Sequence, residues 1–227
     1  MTINGNIIAH RGIHDNKETP ENSLKAFAKA LNRNIPIELD VQLTKDNIIV
    51  VFHDYSLLRM TGKKAYLQDL TYNELQKLYL LDTKEKIPTL KEVLDLIQGK
   101  VLIDIEVKNS NYIDKLCRIL KEELFNYNNY ILKSFHPLIV RKLKKLFPDK
   151  EVGFLINDHY SNYLYDRLVT SKFLLNILKP DFLAISKKLL KTKKLNSLEK
   201  KYPVLVWTIT DKGELEKDNI IYICNNL

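Results

Sequence analysis

Residues 7–54 run IIAHRGIHDNKETPENSLKAFAKALNRNIPIELDVQLTKDNIIVVFHD. The first part is a short apolar run that ends at His10 and precedes a glycine, which is typical of a buried strand. Residues 24–31 then carry apolar side chains at helical spacing, and the polar pair at 22–23 can cap that helix. Residues 35–43 alternate between apolar and polar side chains, as a strand does. This order of strand, helix and strand predicts parallel neighbours in an α/β protein.

The alternation at 35–43 puts Glu38 and Asp40 on one face of a strand. A buried strand does not hold two carboxylates side by side unless a cation accompanies them. A third carboxylate, Glu106, lies at the end of another alternating strand at residues 101–107. Sets of carboxylate oxygens suit hard divalent cations rather than Zn²⁺. We therefore predict that Glu38, Asp40 and Glu106 bind a divalent cation, and the pattern leaves both Mg²⁺ and Ca²⁺ open.

Two histidines, His10 and His53, each follow an apolar strand. A lone histidine is usually a core residue, but two that flank a carboxylate cluster favour catalysis. Arg11 offers a planar guanidinium suited to a phosphate group and Lys108 offers a point charge, although either can instead pair with a carboxylate of the cluster. We predict that both bind a substrate phosphate, and that the whole set cleaves a phosphate ester.

Five motifs stand in a fixed order along the first half of the chain: His10-Arg11-Gly12, Pro20-Glu21-Asn22-Ser23, Glu38-x-Asp40, His53-Asp54 and Glu106-x-Lys108. In this order and spacing the sequence resembles the glycerophosphodiester phosphodiesterase family. Weaker echoes follow at Ser134-Phe135 and Val206-Trp207-Thr208. The resemblance implies a metal-dependent hydrolase of lipid and glycerol metabolism, which converts glycerophosphodiesters to sn-glycerol 3-phosphate and an alcohol.

The same resemblance assigns roles to individual side chains. It implies general acid and base catalysis by the two histidines, and it selects Glu106 rather than Asp104 as the third metal ligand. It also implies that Glu21 contributes to the mouth of the site and that Trp207 lines the pocket. A glutamate in a first helical turn and a buried tryptophan are as often structural, so both roles stay open beside that alternative.

Strand and helix patterns continue to alternate over the rest of the chain. Strands are expected near residues 7–10, 37–41, 101–107, 130–134, 152–156, 182–185, 204–208 and 220–224, and helices near 24–31, 90–97, 113–125, 137–147, 163–178, 189–201 and 213–217. Eight such repeats predict a closed (β/α)₈ TIM barrel with its active site at the C-terminal ends of the strands. Residues 48–52 follow a connection too short for a parallel strand, so we expect them to fold back antiparallel.

Residues 55–88 interrupt this alternation and are expected to form a small insertion after the second barrel strand. In the resembled family an insertion at this point helps to shape the pocket for the alcohol side of the substrate. No linker or repeat divides the chain, so one domain over residues 1–227 is predicted. The sequence departs from the family at its end, where residues 224–227 read CNNL and no closing helix follows. This departure bears on how the barrel closes.

The composition is that of a globular protein, with 45% hydrophobic and 28% charged residues. No apolar run is long enough to span a bilayer and no signal peptide is visible, so a cytoplasmic protein without a transmembrane segment is expected. The two cysteines fit reduced thiols. The net charge of +8 is best interpreted as a solvated basic surface, because no nucleic-acid motif accompanies it.

Two alternatives to this function stay open. A related phospholipase D-type enzyme that cleaves lysophospholipids would have the same barrel and histidine pair, but the insertion and the lack of an export signal argue against it. A non-catalytic module could bind phosphodiesters or anionic membranes through the basic surface, but every presumed catalytic position holds a competent residue. Hydrolysis of a small-molecule glycerophosphodiester is therefore the favoured function. The alcohol group and the oligomeric state are not predicted.

Overall fold

Eight parallel strands close into a barrel in the computed structural model, which describes residues 6–158, 171–189, 198–211, 220–225 and 227. The strands described are β1 Ile7–Ala9, β2 Ile37–Leu43, β3 Ile49–Val51, β4 Ile103–Val107, β5 Tyr130–Ser134, β6 Val152–Ile156, β7 Phe182–Ser186, β8 Val204–Ile209 and β9 Ile221–Cys224. β1 pairs with both β2 and β9, which closes the barrel, and β3 runs antiparallel beside β2. The predicted (β/α)₈ fold is confirmed.

Helices connect the strands and cover the outside of the barrel. Those described are α1 Leu24–Asn32, α2 Leu58–Thr61, α3 Tyr72–Leu75, α4 Leu90–Ile97, α5 Ile113–Glu123, α6 Pro137–Leu146 and α7 Lys172–Leu178, with 3₁₀ turns at Leu67–Asp69 and Lys187–Leu189. The helix predicted at 163–178 is described only from residue 172 on, the helix at 189–201 only at its two ends, and the helix at 213–217 lies outside the described residues. Within the described ranges, no helix combines the length and the apolar character needed to cross a bilayer.

The two faces of the barrel strands differ in character. On β2, Ile37, Leu39 and Val41 are fully buried in the apolar layer that the strands share with the helices. The intervening residues Glu38 and Asp40 face the barrel interior, as the alternation predicts. Below them the interior is filled by a second apolar cluster, which contains Ile8, Ile131, Leu155, Phe182, Ala184, Leu205 and Ile223. Among the described residues, the two carboxylates thus lie next to an apolar layer of the barrel interior.

The unusual C-terminal residues do not prevent the barrel from closing. β9 pairs with β1 in parallel, with Ile7 opposite Tyr222 and Ala9 opposite Cys224. Beyond β9, the backbone amide of Asn225 donates a hydrogen bond to the carbonyl of Ile209 (2.8 Å). Closure therefore comes from the strand pairing itself.

The predicted hairpin of β2 and β3 is confirmed. Asn47 lies in the turn with φ +68°, a left-handed conformation that asparagine adopts more readily than most residues. After β3, the backbone amide of Phe52 donates to the carbonyl of Asp40 (2.9 Å). His53 is therefore returned to the carboxylate end of β2 by a short hairpin.

The insertion at 55–88 has a small apolar core of its own. This core is formed by Leu57, Met60, Leu67, Leu75, Leu80 and Ile87, and it is continuous with β3 through Val50 and Phe52. Gly62 ends α2 with φ +72°, as is common for a glycine that follows a helix. Because the insertion packs on β3, its helix α2 is held at a fixed place beside the hairpin.

A lysine lies inside the barrel. Lys133 on β5 is 1% exposed, and its Nζ is 2.5 Å from Asp104 Oδ2 and 3.3 Å from Glu38 Oε1. Burial alone would lower the pKa of Lys133, but the charges of Asp104 and Glu38 outweigh it and raise that pKa above its usual value. A buried charge of this kind persists only when it is paired. The pair of Lys133 and Asp104 is therefore a structural part of the barrel.

Replacing Lys133 by Met is expected to lower the free energy of unfolding by about 3–5 kcal/mol, because the buried carboxyl groups of Asp104 and Glu38 lose the cation that they face. Urea unfolding followed by circular dichroism measures this loss. The matched double variant, Lys133→Met with Asp104→Asn, removes both charges and is expected to recover most of the stability. Equal losses in the single and double variants would contradict the pairing.

Candidate active site

Three carboxylates meet where β2 pairs with β4. These strands are parallel neighbours whose register sets Asp40 opposite Glu106 and Glu38 opposite Asp104. Glu38, Asp40 and Glu106 are buried, and each offers an oxygen atom within 4.8 Å of those of the other two. Asp104 pairs instead with Lys133. The strand register thus brings the three predicted ligands together and leaves Asp104 outside the cluster.

This cluster fits a hard divalent cation. Oxygen ligands lie about 2.0–2.6 Å from Mg²⁺ or Ca²⁺, so two ligands of one ion are at most about 5 Å apart. Carboxylates must also be ionised to bind a metal. Burial by itself raises the pKa of Asp40, but the neighbouring charges, chiefly that of Lys108, outweigh it and hold that pKa well below its usual range. The type, spacing and charge of the donors all agree with a cation site.

Arg11 and Lys108 border the cluster. The guanidinium of Arg11 donates to Glu21 Oε1 (2.7 Å), and its Nε lies 3.4 Å from Asp40 Oδ2. Lys108 Nζ donates to Glu106 Oε1 (2.8 Å). Burial would lower the pKa of Lys108, but the charges of Glu106 and Asp40 raise it above its usual value. Both cations therefore pair with carboxylates, and they lie where they could also contact a bound phosphate.

The two histidines are each held by a hydrogen bond at Nδ1. His10 donates from Nδ1 to Asn225 Oδ1 (2.7 Å), and His53 donates from Nδ1 to Asp54 Oδ1 (2.7 Å). In both rings this leaves Nε2 available to a reacting group. Burial, with the positive charge of Arg11 as the next cause, lowers the pKa of His10 to about 3, so its imidazole is neutral at pH 7.

Arg59, on helix α2 of the insertion, connects the two sides of the site. Its Nε donates to Asp54 Oδ2 (2.6 Å) and its Nη2 donates to Glu21 Oε1 (2.7 Å). Burial would raise the pKa of Glu21, but Arg59 and Arg11 outweigh it and lower that pKa to about 2. Because Asp54 also accepts from His53, the insertion holds this histidine through Arg59 and Asp54.

Replacing Arg59 by Gln is expected to lower kcat by about 10–100-fold, the usual loss when a residue that orients a functional side chain is removed. KM should change less, because Arg59 acts on His53 only through Asp54. Steady-state kinetics on a glycerophosphodiester, the substrate class that the sequence predicts, separates the two constants. Arg59→Lys keeps the charge and should recover part of kcat. A wild-type kcat in Arg59→Gln would show that Asp54 orients His53 unaided.

A cavity of about 260 Å³ opens beside the carboxylates and the histidines. On one wall, the rings of Phe135 and Trp207 meet edge to face, with centroids 5.6 Å apart and planes at 90°. Trp207 Nε1 is buried and has no hydrogen-bond partner among the described residues, so a ligand could accept from it. Of the predicted site residues, six line the cavity: His10, Arg11, Glu38, His53, Glu106 and Trp207.

The other three predicted residues support this lining. Asp40 and Glu21 both contact the guanidinium of Arg11, and Lys108 donates a hydrogen bond to Glu106. The sequence did not predict the roles of Arg59, Lys133 and Asn225. The available signals were an arginine just after the His53-Asp54 motif, a lysine within an apolar strand, and a polar residue directly after the last strand.

The chain is similar to known proteins over most of its length. The model of the glycerophosphoryl diester phosphodiesterase family matches residues 10–226. A glycerophosphodiester phosphodiesterase of Caldanaerobacter subterraneus subsp. tengcongensis is 39% identical over 162 residues, which are 66% of this chain and 65% of that protein. The match therefore spans just under two thirds of the length of this relative.

Solved structures resemble the whole barrel. A glycerophosphodiester phosphodiesterase from Thermotoga maritima superposes with a TM-score of 0.76 and 27% identity, covering 99% of this chain and 96% of that one. A phosphodiesterase from Oleispira antarctica, solved in complex with its product sn-glycerol-3-phosphate, gives a TM-score of 0.81 at 24% identity, covering 96% and 92%. At that identity the second likeness supports the fold alone.

Proposed function

The chain belongs to the glycerophosphoryl diester phosphodiesterase family, and from that premise we propose that it hydrolyses glycerophosphodiesters to sn-glycerol 3-phosphate and an alcohol. The observation that carries this proposal is the convergence of three buried carboxylates and two oriented histidines on one cavity. The cavity volume, about 260 Å³, is slightly below the usual range for ligand pockets, about 300–1,000 Å³. This size suits the glycerophosphoryl group, with the alcohol group directed outwards.

In this proposal Glu38, Asp40 and Glu106 hold a divalent cation, Mg²⁺ or Ca²⁺. Such a cation, when bound, supplies positive charge to the phosphoryl oxygens and orients the attacking hydroxyl or water. Arg11 and Lys108 bind the phosphate and offset the negative charge that grows on its oxygens in the transition state. Their existing carboxylate partners keep both cations in place before substrate arrives.

His10 and His53 transfer the protons. One imidazole takes the proton of the attacking hydroxyl and the other gives a proton to the leaving alkoxide, and each role is worth about 10²–10⁴-fold in rate. The hydrogen bonds at Nδ1 support this, because they orient both rings and leave Nε2 for the reaction. Trp207 bounds the cavity on the opposite side and offers its Nε1 donor to the substrate.

We also propose one domain over residues 1–227 and a cytoplasmic setting. The first rests on β1, which pairs with both β2 and the last strand, β9, so that one sheet joins the two halves of the chain. The second rests on Cys117 and Cys224, which are buried thiols as expected in a reducing compartment.

Removal of the cation tests the proposed chemistry. Release of sn-glycerol 3-phosphate from glycerophosphocholine, measured with a coupled dehydrogenase, is expected to fall by about 10³-fold in excess EDTA, because several kcal/mol of charge stabilisation are lost. Adding Mg²⁺ or Ca²⁺ beyond the chelator should restore it. Full activity in EDTA would contradict the role of the cation.

The products and the substrate range test the reaction itself. Release of phosphocholine instead of choline would show that the other ester bond is cleaved. A faster reaction with lysophosphatidylcholine than with glycerophosphocholine would favour the phospholipase alternative. Binding of glycerophosphocholine without turnover, in any divalent cation, would favour the non-catalytic module.

A further inference from the structure

A second feature lies on the outside of the barrel, where a groove of about 750 Å³ runs between α5 and α6. The groove is lined by five basic side chains and by one acidic side chain, Asp114. The Nζ atom of Lys142 lies 2.6 Å from Oδ1 of Asp114. The other four, Lys115, Arg118, Arg141 and Lys145, form no ion pair with any described residue. The groove therefore carries positive charge that the described residues leave without a partner carboxylate.

Apolar side chains stand exposed among these cations. Tyr112 is 62% exposed, Leu138 is 60% exposed and Phe125 is 81% exposed. Tyr112 and Leu138 line the groove, and Phe125 follows α5 beside Lys121 and one acidic residue, Glu122. We define the α5–α6 face by its exposed basic and apolar members: Lys115, Arg118, Lys121, Arg141, Lys145, Tyr112, Phe125 and Leu138.

The α5–α6 face is continuous with the catalytic end of the barrel. α5 follows β4, which carries Glu106, and α6 follows β5, which carries Lys133. Tyr112 and Leu138 lie at the beginnings of the two helices and hence near the C-terminal ends of these strands. A surface bound along this face would therefore reach the mouth of the cavity at the end that carries Tyr112 and Leu138.

We propose that the α5–α6 face docks on the surface of an anionic lipid bilayer. Basic side chains are attracted to anionic headgroups, and exposed aromatic and aliphatic side chains enter the boundary between headgroups and acyl chains. A nucleic acid would use the cations but would leave Leu138 and Phe125 in water. The bilayer accounts for both kinds of side chain. The proposal is independent of the catalytic function proposed above.

Vesicle binding tests it with the full chain. Vesicles of phosphatidylcholine with about one third phosphatidylglycerol are compared with pure phosphatidylcholine by co-sedimentation. Each basic side chain near an anionic surface is worth about fivefold in partitioning, so the triple variant Arg118→Gln, Arg141→Gln, Lys145→Gln should bind about 100-fold more weakly. Raising the salt to about 0.5 M should weaken wild-type binding as well.

Matched variants separate charge, apolar contact and folding. The control variant Lys100→Gln, Lys200→Gln, Lys201→Gln removes the same charge from exposed positions outside the face and should bind vesicles as wild type does. Leu138→Ser should weaken binding to the anionic vesicles. All these variants should keep wild-type turnover of water-soluble glycerophosphocholine and wild-type circular dichroism, since none of these residues lines the catalytic cavity.

Three results would overturn the proposal. The first is equal vesicle binding by the two triple variants. The second is wild-type binding that does not distinguish anionic from neutral vesicles. The third is a wild-type protein that binds a DNA duplex more tightly than the anionic vesicles and loses this binding in the Arg118, Arg141, Lys145 variant, which would assign the face to nucleic acid.

Discussion

Replacing either His10 or His53 by Ala is expected to lower kcat for glycerophosphodiester hydrolysis by about 10²–10⁴-fold, the contribution of one general acid or base. Both rings are held at Nδ1 and both line the same cavity. In the proposed mechanism their Nε2 atoms are the proton-transfer groups. Rapid-quench or coupled assays of sn-glycerol 3-phosphate release measure the loss.

Because acid and base act in one reaction, their effects should not multiply. The double variant is expected to be little slower than the slower single variant, as for residues that act as a unit. Added imidazole should recover part of the rate of each single variant, since it can occupy the space left by a histidine ring. A single Ala variant that keeps more than about a tenth of the wild-type kcat would remove that histidine from the chemistry.

A structural loss has to be separated from a chemical one in these variants. His10 and His53 are not members of the carboxylate cluster, so both variants should still gain stability from added Mg²⁺ or Ca²⁺. Retention of this gain together with the loss of kcat assigns the histidines to proton transfer. Loss of both would mean that the histidines maintain the cluster.

Much of the site could be predicted because local pattern and strand register agree. The alternation of β2 fixes which side chains enter the barrel, and parallel pairing with β4 then brings Glu106 beside Asp40. The position of His53 followed from the length of the connection between β2 and the next apolar run. Four residues can form a hairpin, but they are too few for the crossover that a parallel strand needs. These inferences need only the local sequence pattern and the rule that strands separated by a helix pair in parallel.

Arg59 could not be predicted in the same way. Its contact with Glu21 spans 38 residues and depends on how the insertion packs against β3. In the sequence, Arg59 is a polar residue on a short helix and could equally face solvent. Only the apolar core of the insertion, which fixes α2 beside the hairpin, directs its guanidinium towards Asp54 and Glu21.

Lys133 was missed for a different reason. An alternating strand predicts that Ile131 and Lys133 share a face, but a lysine on an interior face is rare without a partner. Its partner, Asp104, lies 29 residues earlier on β4. The sequence placed Asp104 on the interior face that carries Glu106, but it did not show which cation Asp104 pairs with. Only the pairing of β4 with β5 brings Lys133 beside it. Paired buried charges are therefore harder to infer from sequence than a cluster of buried carboxylates, because such a cluster by itself predicts a bound cation.

The gain of stability on cation binding should disappear when Glu106 is replaced by Gln. A cation at about 100 times its Kd stabilises the wild-type fold by about 2.7 kcal/mol. For a chain of this size that corresponds to a rise in Tm of about 5–10 °C. Glu106→Gln keeps the size and polarity of the side chain but removes one of the three proposed carboxylate ligands. The rise in Tm on adding Mg²⁺ or Ca²⁺ should therefore vanish, and kcat should fall by about 10³-fold.

Asp104→Asn is the matched control, because it removes a carboxylate from the same face of the same strand, two residues away. Asp104 pairs with Lys133 and is not a member of the cluster, so this variant starts from a lower Tm but should show the full rise on adding the cation. Differential scanning fluorimetry of both variants, with and without the cation, makes the comparison independent of turnover. If Asp104→Asn loses the rise while Glu106→Gln keeps it, the ligand set named here is wrong. If both variants keep the full rise, the cation binds elsewhere and the three carboxylates serve only to hold Arg11, Lys108 and Lys133.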